Sequence, residues 1–182
     1  ISREQIEHFS YAGLWVGGIV NGQRRVSTSI VDGVFEAGNE GFELFPKSPI
    51  TIQSSIASTT QDSMAKYYSP SAVSHQDMII DFKDYGDNPS ENLGIPNHTP
   101  LGLDIRLESY AWNYSYADAF VILNYTFTNQ SEDVINDLYA GIWVDPSIAN
   151  FNYTDYYSPG GGFTWYDNLN GYDETLDLSG FT

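Results

Sequence analysis

Cysteine is missing from all 182 residues, which removes disulfide scaffolds, thiol nucleophiles and thiolate metal sites together. Positive charge is nearly as scarce. Seven Lys and Arg stand against 24 Asp and Glu, for a net charge of −17, and every Lys and Arg lies at or before Arg106. A surface of that sign repels phosphate backbones and anionic headgroups, which argues strongly against nucleic acid, and it favours solubility and attracts divalent cations. No apolar run approaches the ~18 residues of a membrane-spanning helix. Catalytic signatures are absent too: there is no HExxH, nucleophile elbow, kinase pattern or phosphate loop. The glycines of GLWVGG, Gly13 to Gly18, lack the spacing and the following helix of a phosphate loop, and read as close packing or bulges.

What is present is β sequence. A chain of 20.3 kDa suits one domain, 1–182, able to bury ~70% of its unfolded surface without staples. Tyr, Asn, Ser, Thr and Gly dominate the polar usage, as in exposed extracellular β proteins. The longest strand-like stretch runs from Leu101 to Asp145. Leu101, Leu103, Ile105 and Leu107 alternate with Gly102, Asp104, Arg106 and Glu108, the period of a half-buried strand. After a polar break at 113–118, Val121, Leu123, Tyr125 and Phe127 repeat that period and predict an antiparallel hairpin. A third strand through Leu138, Ala140, Ile142 and Val144 is apolar on both faces and is expected deep between two layers, closing a three-strand meander.

Elsewhere, Ala12 to Val20 and Arg25 to Val31 flank Asn21-Gly22, the signal of a tight hairpin turn. A short strand is predicted at 50–56, and Ser74 to Tyr85 has a short apolar centre, Met78 to Phe82, flanked by Asp77, Asp81 and Asp84. Residues 58–68 carry the best helix pattern, capped by Ser58, Thr59 or Thr60. Gly86 to Pro100 is a long loop with three of the eight prolines, the kind that is functional, mobile or wrapped over a surface. Residues 1–11 read as a short amphipathic helix or an extended arm. No internal repeat stands out, and Trp15 and Trp143 are assigned to the core. The expected fold is an all-β antiparallel sandwich, jelly-roll-like or a large two-sheet sandwich, with one short helix and long loops. The start at Ile1 without a leader suggests a processed chain or an excised piece, and 176–182 looks like the entry to a further strand, so the sandwich is expected to be incomplete at its C-terminal side.

Tyr11 to Gly18 (YAGLWVGG), Ser74 to Asp77, Pro100 to Leu103, Ser109 to Trp112, Phe120 to Ile122, Asn129 and Tyr139 to Asp145 (YAGIWVD), in that order, resemble a family of large secreted bacterial surface proteins, many exported by type IX secretion. The resemblance spans nearly the whole chain. It implies an exported β-rich domain, from a family with no assigned enzymatic activity, followed by a further β-rich segment, whose absence leaves an edge able to recruit strands.

Several constellations have chemical potential. Asn97, Asn113, Asn124, Asn129 and Asn152 begin Asn-X-Ser/Thr sequons, which would make the protein a glycan-coated surface element, although in so Asn-rich a chain most sequons arise by accident. Asp145, Asn150, Asn152 and Asp155 gather hard oxygen ligands suited to Ca²⁺ in one loop, without EF-hand spacing and with Asx-turns as the competing use; Asp84 and Asp87 form a weaker cation pair. Tyr67, Tyr68, Tyr110, Trp112, Tyr114 and Tyr116 are candidates for a platform that stacks on sugar rings, although at strand spacing most such residues are core or cross-strand partners; Trp112 and Trp165, beside turns and glycines, are the better surface candidates. The histidines His8, His75 and His98 sit in unrelated polar contexts; His75 beside Asp77 is a possible site pair, but such a histidine is more often a solvated or capping residue. The leading expectation is a non-catalytic extracellular structural protein at the cell surface, a surface or filament subunit forming a homo-oligomer or polymer through an edge strand or terminal arm. A Ca²⁺-assisted carbohydrate-binding module of adhesin type comes second. A glycoside-hydrolase-type enzyme, which needs two carboxylates at fixed separation in a cleft, comes third.

Overall fold

The computed structural model describes residues 9–31, 38–146, 170–173 and 178–181. They are mostly strand, arranged as two antiparallel sheets packed together, an all-β sandwich. Strand β1 (Phe9–Val20) turns at Asn21 and Gly22 into β2 (Gln23–Thr28). Both turn residues have positive φ, 52° and 76°, the conformation in which a two-residue turn matches the twist of its strands, so the Asn-Gly signal is realised as a hairpin. Two short segments, β3 (Phe45–Pro46) and β4 (Thr51–Gln53), both pair with β5 (Gln76–Lys83). The opposite edge of β5 carries β6 (Leu103–Ala111), which continues into β7 (Ile122–Asn129) by the predicted hairpin.

The period of two in β6 acts as read. Leu103 and Ile105 are buried while Arg106 is exposed, and the core gathers Leu14, Val16 and Val20 from one sheet against Leu101, Leu103 and Ile105 from the other. Phe82, Tyr125, Phe127 and Ile135 pack around it.

Strand β8 (Ile135–Pro146) departs from expectation. It does not close a meander beside β7 but crosses to the first sheet and pairs with β1, giving the order β2-β1-β8. It is an edge strand and is not deep: Leu138, Tyr139 and Ile142 are exposed. Strands β9 (Asn170–Asp173) and β10 (Leu178–Phe181) form a separate antiparallel pair.

The β1–β8 register exposes a symmetry that a search for long repeats passes over. Ala12-Gly-Leu-Trp-Val16 and Ala140-Gly-Ile-Trp-Val144 are near-copies, and they lie antiparallel on one another: Ala12 faces Val144, Gly13 faces Trp143, Leu14 faces Ile142, Trp15 faces Gly141 and Val16 faces Ala140. On the outer face Trp15 and Trp143 therefore each stand opposite a glycine, and Tyr139 stands opposite Gly17. Trp15 and Trp143 stack at 6.4 Å on this outer face, with Trp15 donating to the carbonyl of Ile30, so neither belongs to the core. The second correction concerns 58–68: only a 3₁₀ turn forms, Ser63–Tyr67, capped by Asp62. The Asp62 carboxylate takes the Met64 N–H, and Tyr67 and Tyr68 end the turn rather than lining one side of a helix.

Candidate functional site

Three places in the fold gather polar or exposed apolar groups, and their geometry separates scaffold from surface. The first lies beside the core where β2, the end of β5 and the 86–100 loop meet. Asp84 is fully buried and accepts from the backbone N–H groups of Leu101 (2.7 Å), Gly102 (3.1 Å) and Leu103 (2.7 Å) and from the Ser27 hydroxyl (2.8 Å). Ser27 Oγ also lies 3.0 Å from His98 Nε2. A serine, a histidine and an aspartate thus meet, but in the wrong order for nucleophilic catalysis. In a hydrolase the imidazole stands between the other two and takes the hydroxyl proton. Here the Ser27 proton is committed to Asp84, so His98 Nε2 must be the donor and its Nδ1 the bare acceptor, which is buried without a partner among the described residues. Burial holds the imidazole below the ordinary histidine value, with Glu43 and Asp84 pulling the other way.

This cluster ties down the proline-containing loop. Arg25 reaches Pro100 O (2.8 Å), Asn92 donates to Ile95 O and His98 O, and Ile95 is buried. The loop is wrapped over the end of the sandwich. Glu43 is engaged in the same manner, accepting the N–H and hydroxyl of Thr28. As for Asp84 and Asp87 as a cation pair, the oxygens of Asp84 are taken by four donors while Asp87 stands exposed, so the two do not form a common site. Among the described residues no three His, Asp or Glu are placed to hold a metal. Of the Ca²⁺ candidates, Asp145 ends β8, and Asn150, Asn152 and Asp155 lie outside the described residues.

The second place is the corner joining β6 to β7. Asp77 is buried and receives the N–H groups of Val73 (2.7 Å) and Ser74 (2.8 Å) and the Ser74 hydroxyl, whose oxygen in turn accepts from Ala111 N–H (3.0 Å). It is therefore the anchor of a turn and not a partner of His75. His75 Nδ1 accepts from Asn113 N–H (3.0 Å), which leaves Nε2 as the proton-bearing nitrogen, and its ring meets Tyr114 edge-on at 4.5 Å. Tyr114 stacks on Tyr116 at 5.3 Å, with 9° between the rings, and Tyr116 is 81% exposed. Of the sugar-stacking candidates, Tyr114 stands on this ledge. Tyr110 and Trp112 are half-buried at its root, and Trp165 lies outside the described residues. Tyr116 joins Tyr114 as the aromatic pattern suggested, whereas the approach of His75 to Tyr114 follows from the β5–β6 pairing and leaves no trace in the sequence.

Among the sequons, Asn97, Asn113, Asn124 and Asn129 are all exposed. Asn124 donates to Glu108 and Asn129 to Asp133 O, so their side-chain amides are occupied, whereas those of Asn97 and Asn113 bond to no described residue. Asn152 lies outside the described residues.

The third place is the side of the sandwich where both sheets end. Among the described residues β7 and β8 each have one unpaired edge. Between them runs a groove of about 410 Å³ lined by Leu103, Phe127, Val134, Ile135 and Leu138 and rimmed by Glu132 and Asp133. Leu123 and Ile142, which should point inward by the register of their strands, are about half exposed.

The class that this geometry defines is an antiparallel β-sandwich, with one side open among the described residues. Comparison of the chain with family models, with curated proteins and with solved structures finds no match.

Proposed function

We propose that the protein is a non-catalytic extracellular structural protein, a surface or fibre subunit that joins its neighbours by extending its sheets. The observation that carries this reading is the open side among the described residues: two unpaired edges, a groove floored by apolar side chains, and inward-directed Leu123, Leu138 and Ile142 left about half exposed. Long apolar edges are normally blunted by charge, proline or a cover, because they pair with whatever strand is offered. The acidic composition and the resemblance to secreted surface proteins support an extracellular setting. The buried acids Asp77, Asp84 and Glu43 are held by turn and loop donors, and none is poised for acid–base work. Negative-stain microscopy and sedimentation velocity of the full chain test the reading. Regular assemblies that are lost on Leu138→Lys are expected; a monomer at every concentration overturns it.

A second reading, Ca²⁺-assisted carbohydrate recognition, is favoured by the Tyr114–Tyr116 ledge with the Nε2–H of His75 beside it. A pyranose offers an apolar C–H face to such a ring and hydroxyls that both donate and accept. Saturation-transfer NMR against cellohexaose and mannohexaose, with and without EDTA, checks it: saturable transfer lost on Tyr116→Ala supports sugar binding, and loss on chelation supports the role of calcium. Glycosylation is expected first at Asn97 and Asn113, and glycopeptide mass spectrometry of the secreted chain reads it directly.

A further inference from the structure

The strand that the first sheet leaves open contains its own complement. β8 pairs with β1 through two near-identical pentapeptides, Ala-Gly-Leu-Trp-Val and Ala-Gly-Ile-Trp-Val, related by a local twofold between Leu14 and Ile142. The register places a glycine opposite each tryptophan and a small apolar residue opposite each valine. A segment that fits its own near-copy in antiparallel register also fits itself, because the only difference is one methyl position at the axis.

We propose that the free edge of β8 pairs antiparallel with the free edge of β8 in a second copy of this chain, about a twofold axis at Ile142. The result is a continuous six-stranded sheet in the order β2-β1-β8-β8-β1-β2. This rests on the sheet-extension reading above and names its partner.

Three observations carry it. The edge is available among the described residues, with Tyr139 75% and Ile142 47% exposed. Leu138 to Val144 itself holds no charge and no proline, two of the devices that keep an edge solitary. The register predicted by the twofold keeps the rule seen within the chain. Gly141 faces Trp143 of the second copy, Ala140 faces Val144, and Asp145 falls opposite Tyr139 rather than another acid, so a chain of charge −17 meets itself without a like-charge pair inside this stretch. The interface is isologous and closes at two copies; any longer fibre needs a second contact elsewhere.

The absence of cysteine provides a clean test. Only a residue on the axis meets its own counterpart, with Cβ atoms ~4.5–5.5 Å apart, a separation that a small shift closes into a disulfide. In the same register Ala140 lies four residues from its counterpart, ~13 Å along the strand. Full-length Ile142→Cys, Ala140→Cys and Leu138→Cys variants are oxidised under mild conditions, and the mass of the unmodified chain is measured by light scattering. The expected result is a dimer of the unmodified chain and a cross-linked fraction at Ile142→Cys about tenfold above that at Ala140→Cys. Ile142 is exposed, so the fold survives its replacement, and circular dichroism of each variant confirms that. Cross-linking strongest at Leu138→Cys, or an assembly with no β8 cross-link, overturns the twofold at Ile142 while leaving sheet extension standing. A monomer with no cross-link at any position overturns both.

Discussion

Asp84 shows how much of this sandwich depends on one side chain. Its two oxygens take three consecutive backbone N–H groups at the entry to β6 and the hydroxyl of Ser27 from the other sheet. Asp84→Ala strands four buried donors, and a loss of about 3 kcal/mol in urea unfolding is expected. Asp84→Asn should cost nearly as much, since the new amide group would face a donor whichever way it turns. Two titrations act at the same scale. Burial holds His98 below its ordinary value of 6.5, so the folded chain refuses a proton that the unfolded chain accepts. Stability is therefore full above pH 6.5 and falls as the pH drops from there towards the lowered folded value. Tyr85 behaves in the opposite sense. Burial and its hydrogen bond to Asp104 push it from 10 up to about 12, so its contribution is whole below pH 10 and is lost as the pH rises towards 12. Melting temperatures across both windows check these signs, and His98→Gln should flatten the acid limb. None of this was legible in the sequence. Ser27, Asp84 and His98 come from three distant segments, and a buried acid that binds backbone leaves no periodic trace.

Among the elements, turn chemistry and period predicted what local forces determine. Asn21-Gly22 specified the first hairpin, and the alternation from Leu101 onward specified which side of β6 is buried. The placement of β8 was hidden for a physical reason. An apolar outer face usually means a second covering layer, but in β8 that face carries Tyr139, which is exposed, and Trp143, which stacks on Trp15 of the neighbouring strand. The 3₁₀ turn at Ser63–Tyr67 stayed short because no long apolar face is present to stabilise further turns. Gly102 is the clearest element-scale test. It enters β6 at φ 80°, and a Cβ there would stand 2.9 Å from Ser131 Cβ and 3.0 Å from Pro89 O. Gly102→Ala is expected to cost about 2–3 kcal/mol by thermal unfolding and to disturb both the loop before it and the turn after β7.

At the scale of the whole molecule, charge opposes association while the open side favours it. Two copies carrying −17 each repel at long range, and salt screens that repulsion with little effect on strand pairing. Raising NaCl from ~20 to ~500 mM should therefore tighten self-association by about tenfold or more in sedimentation equilibrium, the reverse of what an interface of ion pairs would show. The paired pentapeptides have one further consequence, for the folding reaction. β1 and β8 are separated by most of the chain, so their meeting waits on the closure of a long loop, whereas an equivalent segment on a neighbouring unfolded chain needs only an encounter. Refolding yield should fall steeply with protein concentration, and the misassembled fraction should consist of exchanged partners, β1 of one molecule seated on β8 of the next.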